Sequence, residues 1–301
     1  MQEILLILIS LAVGVALRLS GRLPQTAGNV FGGWVINVAL PAAALSSIHD
    51  LSLRRDWWLA VATPWISVAL AIAVLVPLCR VLGWSRERAG ALILVGGWGN
   101  TSFVGLPMIV AFAGKQWLGL GIVIDLFGSY LALSTVGIAV AAVASTGRFV
   151  WSAIVRRITT FPPFIAILIA LATNHLSRPA WLTELFHTFA HTLTPIALAA
   201  VGFALRLDRL SGRLPALCVG LGFRLGFAPL AITLMYQALH GADDPVAKVA
   251  MLEMAMPPML GASVIAMDQE LEADLVALLI GIGVPLSMIT AGLWWSVIQT
   301  L

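Results

Sequence analysis

The chain has 301 residues, 60% of them hydrophobic and only 10% charged, with a net charge of +3 and a mean hydropathy of +1.00. A soluble domain carries about 25% charged residues, so this composition excludes a soluble enzyme or binding domain and fits an integral membrane protein. The basic residues sit in short loops between apolar runs, which excludes a nucleic-acid-binding patch.

Ten apolar segments approach the ~20 residues that cross a bilayer: 3–19, 30–48, 57–79, 88–113, 117–144, 161–173, 185–205, 214–239, 246–267 and 273–298. The first begins with Glu3 and has no basic residue ahead of its apolar run, so it reads as a span and not as a cleaved signal peptide. The sixth is short. Every loop is short, leaving no room for a separate soluble domain.

The loops fix an expected orientation. Loops one, three, five and seven hold Arg18 and Arg22; Arg80, Arg86 and Arg88; Arg148, Arg156 and Arg157; and Arg206, Arg209 and Arg213. Loop nine holds none. The opposite loops hold Arg54 and Arg55, Lys115, Arg178 and Lys248. Eleven cations against five place the odd loops in the cytoplasm and both termini outside the cell membrane.

Proline placement suggests two copies of a five-span unit. Pro41 pairs with Pro195, Pro77 with Pro229 and Pro107 with Pro258, at offsets of 154, 152 and 151 residues. Five is odd, so the second copy is inverted. The expected organisation is a first repeat over 1–147, a cytoplasmic linker over 148–160 and a second repeat over 161–301.

The fourth segment carries the chemistry. Gly96-Gly97-Trp98-Gly99-Asn100-Thr101-Ser102-Phe103-Val104-Gly105-Leu106-Pro107 cannot remain a plain helix. Backbone freed at membrane depth needs protein or a water-filled cavity as its partner. Asn100, Thr101 and Ser102 supply neutral donors and acceptors, Gly105 permits close approach, and a half-helix restarting near Pro107 offers a positive end to an anion. The ninth segment breaks at Met256-Pro257-Pro258, followed by Gly261-Ala262-Ser263. Matched breaks in two halves point to a transporter's binding site.

Three charged residues fall inside apolar segments, where each is costly. Arg224 is either the counter-ion of an anionic substrate or the buried partner of Glu253 or Asp125. Glu253, one helical turn before Pro257, is the first candidate for proton coupling, and Asp125 the second. His187 and His191 stand four apart with no third ligand near in sequence, and His49, His175 and His240 suggest no site, so no metal is expected. Cys79 and Cys218 offer neither metal spacing nor a disulfide framework. Most of the 11 tryptophans lie near segment ends as interface anchors. Trp34, Trp65 and Trp98 fit that belt less well, and Trp98 beside Asn100 is placed to wall a pocket. No nucleotide-binding motif, cofactor signature or catalytic pair at depth is present, so an enzyme is not expected.

Gly99-Asn100-Thr101-Ser102-Phe103-Val104-Gly105-Leu106-Pro107 resembles the fourth-helix motif of the auxin efflux carrier family, which includes bacterial permeases and the plant PIN-formed exporters. Asn37-Val38-Ala39-Leu40-Pro41 resembles its second helix, Phe161-Pro162-Pro163 the start of its sixth, Thr194-Pro195-Ile196-Ala197-Leu198 its seventh and Ala255-Met256-Pro257-Pro258 its ninth. The long central loop of the plant exporters is absent, so the chain looks like the compact bacterial type. The resemblance implies an all-α fold of ten helices similar to sodium–proton antiporters and bile-acid symporters. It implies a scaffold of helices one, two, six and seven that commonly forms a homodimer, and a transport domain of the other six that moves as an elevator. The implied substrates are small organic anions: dicarboxylates such as malonate or malate in bacteria, and indole acetate in plants. Asn100 and Pro107 match the family's first crossover, and Pro257 and Pro258 its second. A sodium- or proton-coupled symporter or antiporter of the related types is the alternative.

Overall fold

The structure, a computed structural model, describes residues 2–48, 57–145, 151–173, 176–204, 210, 212–240 and 244–301. Arg54, Arg55, Arg148, Arg206, Arg209, His49 and His175 lie outside the described residues, as do the side chains of Glu3, Arg157 and His240.

The chain folds as α1 (Gln2–Leu19), α2 (Ala27–Trp34), α3 (Leu40–Ile48), α4 (Trp58–Val81), α5 (Arg86–Gly97), α6 (Leu106–Phe112), α7 (Leu118–Val123), α8 (Ile138–Ser145), α9 (Trp151–Thr159), α10 (Pro162–Ala172), α11 (Ala180–His191), α12 (Leu193–Ala204), α13 (Leu214–Gly222), α14 (Ala228–His240), α15 (Pro245–Met254), α16 (Leu260–Asp268) and α17 (Ala273–Thr300). Among the described residues there is no strand, only one isolated antiparallel bridge between Gly99 and Pro258. Among the described residues, four helical runs are long and apolar enough to cross a membrane: Trp58–Val81, Lys115–Ser145, Leu214–Leu239 and Ala273–Thr300. Shorter apolar helices include Ile9–Leu19, Val30–Ser46, Thr101–Phe112 and Pro162–Ala172.

Local chemistry sets the ends. Ser85 accepts from the Arg88 N–H to start α5, and Asp244 accepts from the Val246 N–H to start α15, with Pro245 in its first turn. Pro162 opens α10 in the same way. Residues 151–159, inside the expected linker, form α9. One expected boundary differs: the seventh segment starts earlier, as α11, and turns at Thr192 before α12. The Thr192 hydroxyl holds the Trp34 indole N–H at 2.9 Å.

Wide π stretches interrupt several helices, at Val35–Ala39, Thr101–Gly105, Ile124–Tyr130, Leu133–Gly137 and Phe223–Phe227. A π turn leaves carbonyls without their usual helical partners, and lipid supplies none. Tryptophans supply some of them. Trp65 Nε1 donates to the Phe127 carbonyl at 3.1 Å, Trp98 Nε1 to Ser129 at 3.1 Å and Trp294 Nε1 to Leu225 at 2.8 Å. Trp65 and Trp98 therefore sit away from the interface belt because their N–H groups are needed at depth.

Packing falls into two groups. α1 lies along α12, α12 along α2, and α3 against α10 and α11. The α1–α12 approach is close enough that a Cβ on Gly14 would run into the Ala199 carbonyl, and one on Gly202 into the Leu11 carbonyl. In the second group α4 packs on α5, α5 on α8, α16 and α17, and α14 on α15.

The buried apolar side chains of the described residues form two cores, one of them shared by both packing groups, and the broken helices pass between them. Ile93, Leu94 and Val95 of α5 belong to one core, while Leu106, Met108 and Ile109 of α6 belong to the other. α15 and α16 make the same passage in the reverse order: Met251 and Leu252 sit in the core of α6, and Ala262 and Ile265 in the core of α5. Between the cores lie buried Asn100, Thr101, Ser102, Asp125, Arg224 and Glu253.

Candidate functional site

The two breaks meet directly. α5 stops at Gly97, and Trp98 is extended (φ −101°, ψ 126°). The Asn100 N–H donates to the Pro257 carbonyl at 2.7 Å, and the Met259 N–H donates to the Trp98 carbonyl at 3.0 Å. Pro257 and Pro258 have no N–H of their own, so the second break cannot close on itself by helical bonds. Pairing with the first break satisfies backbone on both sides.

The chain after the first break restarts earlier than the sequence suggests. The helix resumes at Thr101, not near Pro107, and Asn100 is its cap. Asn100 Oδ1 accepts from the Phe103 N–H at 3.0 Å, and its carbonyl accepts from the Gly105 N–H at 2.9 Å, five residues on. That wide turn carries the chain into Pro107. Asn100 is 1% exposed, and its Nδ2 has no hydrogen-bond partner.

Thr101 and Ser102 turn toward the next helix. Thr101 Oγ1 donates to Asp125 Oδ1 at 2.5 Å, and Ser102 Oγ donates to the same oxygen at 2.6 Å. Asp125 is thereby brought into the first break. Sequence reasoning ranked it behind Glu253, because the register between neighbouring helices leaves no mark in the sequence.

Arg224 is fully buried and ties the second break to the first. Its Nε donates to the Met256 carbonyl at 3.0 Å and its Nη2 to the Met254 carbonyl. Nη1 reaches the Gly97 carbonyl and Ser67 Oγ, each at 3.4 Å. The expected ion pair with Glu253 or Asp125 is not formed. The reason is local: the break leaves carbonyls at and just after the end of α15 without helical donors, and the guanidinium fork supplies several.

Glu253 is also fully buried, and neither carboxylate oxygen has a hydrogen-bond partner. It lies against Gly105, where an added Cβ would fall on the carboxylate, and near Gly121. Gly105 is therefore a seat for Glu253.

A cavity of about 870 Å³ opens on this crossing. One wall comes from the first packing group, including Arg18, Val35, Phe161 and Ala197; the other includes Asn100, Phe103, Asp125, Tyr130 and the start of α16. Tyr130 and Phe161 stack across the two groups, their centroids 3.6 Å apart and their planes 14° apart. Of the residues singled out from the sequence, Asn100, Ser102, Asp125 and Ser263 reach this cavity. Ser263 Oγ is bonded back to the Leu260 carbonyl at 2.7 Å. Thr101, Gly105, Pro107, Arg224, Glu253, Pro257 and Pro258 are not in its wall, and they shape the site from behind. Trp98 does not wall the cavity either: its indole is held by Ser129. Arg18, Tyr130 and Phe161 were not singled out as site residues; Arg18 read only as a topology signal.

This geometry can be set beside known proteins. A family model described as membrane transport protein matches residues 1–295. An uncharacterised transporter of Methanothermobacter thermautotrophicus is 25% identical over 298 residues, covering 97% of this chain and 96% of its own. An uncharacterised transporter of Methanocaldococcus jannaschii is 23% identical over 312 aligned residues, covering 98% of this chain and 97% of its own. With apolar helices, paired breaks and a family match over nearly its whole length, the chain belongs to the membrane transport protein family, that of the auxin efflux carriers, and is a multi-pass membrane transporter.

Proposed function

We propose that this transporter carries small organic anions, mono- or dicarboxylates of the malonate, malate or auxin-like kind, and binds them where the two breaks cross. The observation that carries the reading is the Asn100 Nδ2 group, buried without a partner in a cavity wall that also holds Leu260 and Gly261 at the start of α16. An amide donor and a helix N-terminus side by side attract a carboxylate. The surrounding wall is mostly apolar, which suits the carbon skeleton of an organic acid.

The two packing groups support an elevator. In this reading the chain has ten spans in two inverted five-span repeats. α1–α3 and α10–α12 are the scaffold, which pairs with a second copy as a homodimer. The helices from 57 to 145 and from 212 to 301 carry the site across. At the cavity the Tyr130–Phe161 stack joins the groups, and it is a contact that can slide. The loop cations favour an inner-membrane protein with both termini outside.

The test is thermal unfolding of purified protein with malonate, malate and indole acetate, at two pH values, with and without sodium. A ligand that binds only the folded state raises its apparent stability. The expected result is a shift with carboxylates. A shift with sodium alone and none with carboxylates would contradict the anion reading.

The second reading, cation coupling, draws on Asp125 at the cavity and Glu253 behind it. If protons are the coupling ion, Glu253→Gln flattens the pH dependence of transport in proteoliposomes. An unchanged profile with normal activity would remove Glu253 from that role.

A further inference from the structure

We infer that Arg18 is the substrate's counter-ion and the residue that makes this cavity prefer an anion with two charged heads; the inference rests on the anion reading above. Among the described residues that line the cavity, Arg18 is the sole Lys or Arg, and Asp125 the sole acid. The cation expected for that task from the sequence, Arg224, is buried and bound to backbone carbonyls. Two other arginines are taken by acids, Arg88 by Glu272 at 2.7 Å and Arg213 by Asp274 at 3.1 Å, and Arg178 donates to the Leu45 carbonyl at 2.7 Å. Arg18 is half-buried in the last turn of α1 and has no side-chain partner among the described residues.

A second charged head needs a cation of its own, and among the described residues Arg18 is the one in the cavity wall. An incoming anion meets Asp125 in the cavity wall. The start of α16 offsets only about half of one charge, and the Asn100 amide carries none. These partners serve one carboxylate, and a second carboxylate finds no free cation among the described residues at the crossing, where Arg224 is held by backbone carbonyls. Arg18 adds a full positive charge on the wall opposite the crossing. Donors lie on two walls, Asn100 with α16 on one and Arg18 on the other, so each end of a dicarboxylate has a partner of its own. A monocarboxylate engages one of them.

Succinate and butyrate are the probes, since they share a four-carbon skeleton and differ by one carboxylate. Binding is measured by calorimetry on the purified protein. Wild type is expected to bind succinate more tightly. Arg18→Gln is expected to weaken succinate about tenfold or more, the usual loss for a charge-assisted hydrogen bond, and to leave butyrate within about twofold. Arg18→Lys keeps the charge and is expected to recover part of the succinate affinity. Equal binding of succinate by wild type and Arg18→Gln, or an equal loss of both acids, would overturn the assignment and leave Arg18 as a helix-end cation. Failure of wild type to bind either acid would instead remove the anion reading, and this inference with it.

Discussion

The two breaks look alike in outline and are built by opposite means. The first is polar and largely satisfies itself: Asn100 caps the helix that follows it, and Thr101 and Ser102 bond Asp125 on the next helix. The second is made by prolines, carries no polar side chain of its own at the corner, and is closed from outside by Arg224. The difference assigns labour. The first break supplies side chains to the cavity, and the second supplies a helix start and depends on a distant arginine to hold its shape.

Breaking the second corner should cost most. Arg224→Leu leaves the Met254 and Met256 carbonyls without their donor, and each orphaned buried group costs about 1–3 kcal/mol. A loss on the order of 3 kcal/mol or more is expected, read as a large drop in melting temperature in detergent. A melt near wild type would mean the corner holds without Arg224. Arg224→Lys is expected to restore little, because an ammonium group cannot span several carbonyls.

Gly105→Ala sharpens the comparison, because it pushes the helix after the first break against the helix before the second. The new Cβ falls on Glu253, and overpacking of this kind costs about 1–3 kcal/mol. Adding Glu253→Ala should return much of that loss, as contacting sites are non-additive. Strict additivity in unfolding experiments would show that Gly105 is not a seat for Glu253.

The smallest effect concerns the wide turns around the corners. Trp65→Phe removes the donor to the Phe127 carbonyl and is expected to cost about 1 kcal/mol, with a small drop in melting temperature. No drop at all would mean that another donor already serves that carbonyl.

The breaks themselves were legible in the sequence. Glycines and prolines inside apolar runs cannot extend a helix, whatever packs around them, so 96–107 and 256–258 announced themselves. What the residues do there was less legible. The sequence offers Arg224 a substrate anion or a carboxylate as partner and not backbone carbonyls, because charges are visible in a sequence and free carbonyls are not. Asp125 was ranked low by its distance along its own helix, whereas the register of that helix against Thr101 and Ser102 decides its role. Arg18 reads as a loop cation until the packing of α1 turns it onto a cavity. The π stretches left no signature, since they arise from how helices fit together.

The central claim is that the Asn100 amide at the crossing binds the transported anion. The most direct measurement is counterflow of labelled malonate or malate in proteoliposomes, comparing wild type with Asn100→Ala. Losing the cap costs about 1 kcal/mol, so the variant is expected to insert and fold. The account expects exchange by wild type and none by the variant, with a melting profile close to wild type. Normal exchange by Asn100→Ala would contradict it and move the binding site away from the crossed breaks.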